Sequence, residues 1–96
     1  MYFLNPSDYF LKKAKKLVQK NSDLSKKLKK TLLKMEMNPF DRSLKTHLVI
    51  RKNGKEGFSS FVSNDLRIIW EYKNQKQRII DIVDIGGHSG KNKVYG

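Results

Sequence analysis

The sequence predicts an α+β fold: a helical hairpin packed on one face of a mostly antiparallel sheet of about four strands. Two observations carry this. Up to Met35, apolar residues recur at helical spacing among many lysines. After Phe40 the period changes to β-branched and aromatic runs separated by turns rich in Asn, Gly and Asp. Helices first and strands afterwards place the helices together and leave the other sheet face open. At 96 residues the chain reads as one domain, 1–96, with a single modest core.

Tyr2, Phe3 and Leu4 form a short first strand. Asn5-Pro6 then opens a helix, with Asn5 as N-cap, Pro6 at the first helical position and Asp8 in the first turn. Phe10, Leu11, Ala14, Leu17 and Val18 supply its apolar face. Asn21-Ser22-Asp23 breaks this helix and caps a second, whose face is Leu24, Leu28, Leu32 and Met35. Asn38-Pro39 ends it, because the residue before proline is biased away from helix. So short a break predicts an antiparallel hairpin.

Asp41 to Lys45 reads as a loop, and His47-Leu48-Val49-Ile50-Arg51 as a strand. A turn with two glycines, Lys52 to Gly57, leads into two strands joined at Ser63-Asn64-Asp65. The second of them places Arg67 at the head of an apolar run through Ile68, Ile69 and Trp70. After a polar turn, Arg78 to Ile85 is nearly all apolar, as in a strand buried on both faces, with Asp81 and Asp84 interrupting it. Gly86-Gly87 ends it.

The formal charge is +12. Such a charge opposes compaction and attracts polyanions: nucleic acid, an anionic membrane or an acidic protein. With no cysteine, disulfides and thiolate zinc sites are excluded. Two histidines far apart in sequence give no metal motif, and no cofactor is expected. No apolar run reaches membrane-spanning length, and the first residues lack the basic segment of a signal peptide; the expected location is cytoplasmic.

Certain motifs resemble the RelE/ParE superfamily of toxins from type II toxin–antitoxin systems. They are Asn38-Pro39-Phe40, Leu44-Lys45-Thr46-His47, the run Ser60 to Trp70 containing Asp65-Leu66-Arg67-Ile68-Ile69, Asp84-Ile85-Gly86-Gly87-His88, and Val94-Tyr95. In order they span nearly the whole chain. The resemblance implies a microbial-ribonuclease-like RelE fold. It also implies a ribosome-dependent, metal-independent mRNA endonuclease, silenced by a cognate acidic antitoxin. The ParE branch, which poisons DNA gyrase, typically lacks the terminal histidine and tyrosine. A DNA gyrase inhibitor and a non-catalytic basic RNA-binding module are the alternatives.

RNA carries its own nucleophile, the 2′-OH. Cleavage without a metal needs a group to deprotonate or orient that hydroxyl, a cation on the phosphate, and an acid for the leaving 5′-oxygen. Arg67 suits the cation, since guanidinium grips two oxygens at once; the alternative is a structural salt bridge to Asp65, Glu71 or Asp84. His88 suits proton transfer, because an ordinary histidine titrates near neutrality; the alternative is an exposed loop histidine. His47 is a second acid–base or phosphate contact, or else packs at the sheet edge. Tyr95 stacks on a base or meets the phosphate, or else packs on the sheet. Arg51, Lys52, Lys55, Lys91 and Lys93 suit RNA backbone contacts, against the alternative of a solvated surface.

Overall fold

The computed structural model describes residues 1–87. Two helices pack on one face of a five-stranded sheet. The strands are β1 (Phe3–Pro6), β2 (His47–Ile50), β3 (Glu56–Ser63), β4 (Leu66–Asn74) and β5 (Ile79–Gly86), in spatial order β1-β5-β4-β3-β2. The helices are α1 (Asp8–Val18) and α2 (Ser22–Met37), and a 3₁₀ turn spans Arg42–Leu44. The sheet has five strands rather than about four because the short first strand joins it, parallel to β5; every other pairing is antiparallel.

The first helix begins later than Asn5-Pro6 predicts. Its N-cap is Ser7, whose side chain accepts from the Phe10 N–H. Asn5 and Pro6 lie in β1 instead, where the Asn5 amide donates to Asp81 at 2.7 Å. Proline is tolerated at this edge position because an edge strand has one unpaired side. The second cap is as expected: Asn21 accepts from the Leu24 N–H.

Phe10, Ala14, Leu28 and Met35 bury the helix faces against Ile68, Trp70, Ile80, Ile82 and Ile85. Leu11, assigned to the apolar face of α1, is exposed instead. Leu44, expected in a plain loop, is buried from its 3₁₀ turn. The long apolar run of β5 is not buried equally on both faces. Ile80, Ile82 and Ile85 face the core, whereas Ile79, Asp81, Val83 and Asp84 are half-buried. A bulge at the Ile69/Trp70 register shift lets Ile82 and Ile85, three residues apart, share one face.

Thr46, Ser60 and Trp70 join the loop before β2 to the sheet. The Trp70 indole donates to Ser60 Oγ at 2.8 Å, Ser60 meets Thr46 Oγ1 at 2.7 Å, and Thr46 donates to the Pro39 carbonyl at 2.6 Å. Because the Pro39 oxygen can only accept, the chain has a single consistent direction: Trp70 to Ser60 to Thr46 to Pro39. It fixes the Leu44-to-His47 segment.

Candidate functional site

Register decides which side chains share the open face. His47 pairs with Ser59, and Ser59 with Ile69; Phe61 pairs with Arg67, and Arg67 with Gly86. Alternation along each strand therefore puts His47, Ser59, Phe61, Arg67 and Ile69 on the side away from the buried Trp70 and Ile68.

Arg67 is half-buried. One guanidinium nitrogen donates to the Ser63 carbonyl at 2.6 Å and the Leu66 carbonyl at 3.2 Å, and the group lies 4.8 Å from the Phe61 ring centre. The ion pairs among the described residues are Lys13–Asp84, Lys27–Asp23 and Arg51–Glu71. Arg67 thus has no carboxylate partner among them, neither Asp65, Glu71 nor Asp84. The turn uses one end of the fork. The arrangement holds an uncompensated cation on a strand.

A second cation converges on the same ring: Lys45 Nζ lies 5.1 Å from the Phe61 centre. Lys45 adopts a left-handed backbone, φ 49°, at the end of the 3₁₀ turn, a conformation uncommon outside glycine. Phe61 and Lys45 were not among the candidate site residues read from the sequence. The signal was present for Lys45, inside Leu-Lys-Thr-His; for Phe61 there was none, since a strand phenylalanine ordinarily reads as core.

His47 is exposed on edge strand β2, its Nδ1 at 2.9 Å from the Lys45 carbonyl. A carbonyl only accepts, so Nδ1 carries the proton and Nε2 of the neutral ring is the acceptor. Two interstrand steps and a two-residue offset separate the Cα atoms of His47 and Arg67, on the order of 12 Å. That spacing suits two contacts to one bound nucleotide rather than a shared proton.

Arg51 is paired with Glu71 at 3.1 Å and is half-buried, so its charge is compensated. Lys52 and Lys55 are exposed in the turn between β2 and β3. His88, Tyr95, Lys91 and Lys93 lie outside the described residues. The described chain ends at Gly87, where an added Cβ would meet the Asp65 carbonyl at 2.8 Å. Only glycine allows this approach between the end of β5 and the turn that holds Arg67.

The fold is shared with solved toxins. YafQ from E. coli strain BL21(DE3) is 24% identical, with 91% of this chain and 93% of that chain covered and a TM-score of 0.62. A metal-bound toxin from Helicobacter pylori is 26% identical, with 92% and 96% covered and a TM-score of 0.69. The E. coli DinJ-YafQ toxin–antitoxin complex gives 20% identity, 91% and 92% coverage and a TM-score of 0.66. No family model matches the sequence, and no curated protein matches it either. Among the described residues, no group of three or more His, Asp or Glu side chains is placed to hold a metal ion, and no helix is long and apolar enough to cross a membrane.

Proposed function

We propose that this chain is the toxin of a type II toxin–antitoxin pair and acts as a ribosome-dependent, metal-independent mRNA endonuclease in the cytoplasm. The observation that carries the reading is Arg67, a cation without a carboxylate partner among the described residues, on the open face of a fold shared with solved toxins over 91% of the chain. The 2′-OH of the substrate loses its proton and attacks the adjacent phosphorus. The bond to the 5′-oxygen breaks, that oxygen takes up a proton, and a 2′,3′-cyclic phosphate remains. Arg67 stabilises the charge that builds on the phosphoryl oxygens, and Lys45 adds positive potential beside it. His88, two residues beyond the partner of Arg67 in sequence, transfers a proton. His47 offers Nε2 as a second acceptor. Tyr95 positions the phosphate or a base.

Lys52, Lys55, Lys91 and Lys93 serve as backbone contacts to ribosomal RNA and mRNA, and Arg51 serves as a weaker one because Glu71 offsets it. An acidic antitoxin covers the basic surface when the toxin is silent; the structure of DinJ with YafQ supports a partner of this kind. No cofactor takes part in this scheme.

The test is induced expression in a bacterial host. Wild type arrests growth and Arg67→Ala does not, while both melt at similar temperatures and both co-purify with the cognate antitoxin. An Arg67→Ala protein that is folded and fully toxic overturns the ribonuclease reading and favours gyrase inhibition.

A further inference from the structure

A cavity opens on the face of the sheet that carries Arg67. It measures about 260 Å³ and lies between α1, the end of β5 and the turn after β2. Its floor is Ile69 and Val83. Ile69 is almost fully buried although it faces away from Ile68 and Trp70. Tyr9 forms one wall and is exposed at its outer edge; Arg51 forms another, and Asp84 lies at the side. Lys13 fixes two of these groups at once: its Nζ is 2.9 Å from Asp84 Oδ1 and 5.5 Å from the Tyr9 ring centre. Arg51 is fixed in turn by Glu71.

The lining of this cavity has the chemistry to hold a nucleobase. It has an apolar floor, an aromatic ring and a guanidinium for stacking, and a carboxylate at the edge. The space is large enough to admit one planar base. Asp84 supplies the selectivity. Its Oδ1 accepts from Lys13 and from the Ile85 N–H at 2.7 Å. Its Oδ2 has no partner among the described residues. An ionised carboxylate can only accept. It therefore favours a base with an exocyclic amine, as adenine, cytosine and guanine have, over uracil, which has none and offers only its ring N3–H.

We propose that this cavity binds one base of the single-stranded RNA substrate and selects an amine-bearing base over uracil through Asp84. The inference rests on the ribonuclease reading for its biological setting. Ile69 and Arg67 project from the same face of β4 two residues apart, about 6.8 Å along the strand. A base seated over Ile69 thus belongs to a nucleotide next to the phosphate at Arg67. Lys52, at the rim, is placed to meet that nucleotide's own phosphate.

The experiment titrates the full chain with each of the four ribonucleoside 5′-monophosphates and follows backbone amide shifts by NMR. AMP, CMP and GMP shift the amides of Ile69, Val83 and Asp84, and UMP binds at least about tenfold more weakly, as loss of a hydrogen bond to a charged group requires. Asp84→Asn removes the ranking, because an amide also donates to the uracil carbonyl. Tyr9→Ala weakens all four ligands alike and keeps the ranking, which serves if Asp84→Asn does not fold. Equal binding of UMP, shifts confined to other amides, or an unchanged ranking in a folded Asp84→Asn protein would overturn the pocket. A wild type that ranks the nucleotides but cuts no mRNA keeps the pocket and refutes the nuclease; one that cuts mRNA without ranking them does the reverse.

Discussion

Arg67 takes its position from two backbone carbonyls and the face of Phe61. Its orientation is therefore set by neutral groups, and its net charge stays available to a phosphate. A lysine there would lack the planar face that stacks on Phe61 and the second end of the fork that Arg67 leaves free of the turn. At the other end of the strand, Tyr72 shows what burial does to a titrating group. Burial pushes its phenol above the ordinary 10.0, and the neighbouring Tyr2 hydroxyl reinforces the shift. The unfolded chain then loses this proton at lower pH than the folded one. The contribution is fully present below pH 10.0 and falls as pH rises through the folded value. Tyr72→Phe is expected to flatten the loss of stability above that pH, as followed by denaturant midpoints. Single residues were legible where their chemistry was local. Asn21 and Asn38 read correctly as the ends of α2, and Arg67 stood out as a charge in an apolar strand. Asn5 and Ser7 are both competent caps, and only the pairing of β1 with β5 decides between them.

The elements were legible from period, because helix and strand patterns change cleanly after Phe40. Pairing was less so. The parallel partner of β1 is some seventy-six residues away, the separation of the Asn5–Asp81 contact, and a four-residue strand carries no local sign of its neighbour. Thr31 is a further case. It reads as one polar residue in α2, yet it is buried, with its hydroxyl donating to the Phe61 carbonyl at 3.3 Å. It satisfies the edge of β3 past the end of β2 and thereby steadies the strand that carries Phe61. Leu28 lies one turn before Thr31's position on the same helix and is buried against the sheet. Leu28→Ala is expected to cost about 2–5 kcal/mol, read as a lower urea midpoint with an unchanged slope. An unaltered midpoint would mean that α2 contributes little to the core.

On the scale of the whole molecule, the charge is +12, and among the described residues it is balanced locally in three ion pairs. Lys27, Lys30 and Lys34 line a groove of about 300 Å³ between α2 and the end of β3, with Phe61 at its edge. Binding to single-stranded RNA should therefore weaken steeply with salt. Roughly six phosphate contacts correspond to a slope of about −4 in log affinity against log salt, measured by fluorescence anisotropy. A flat dependence with tight binding would indicate an apolar or protein target. Composition points to a polyanionic partner but not to where it would bind; the groove and the open face emerge only when strands distant in sequence are set side by side. His88 and Tyr95 were singled out by resemblance alone and lie outside the described residues.

The central claim is that Arg67 stabilises a phosphoryl transition state on mRNA. The direct measurement is the rate at which purified protein cuts a ribosome-bound message, with the new ends mapped and their termini determined. Wild type should cut within the message in the presence of EDTA, under conditions that keep ribosomes intact, and leave 2′,3′-cyclic phosphates. Folded Arg67→Ala should be slower by about 10²–10³, the usual cost of losing one such electrostatic contact, with little change in affinity for RNA. Cutting by Arg67→Ala at the wild-type rate, or growth arrest by wild type with no cut in any message, would contradict it.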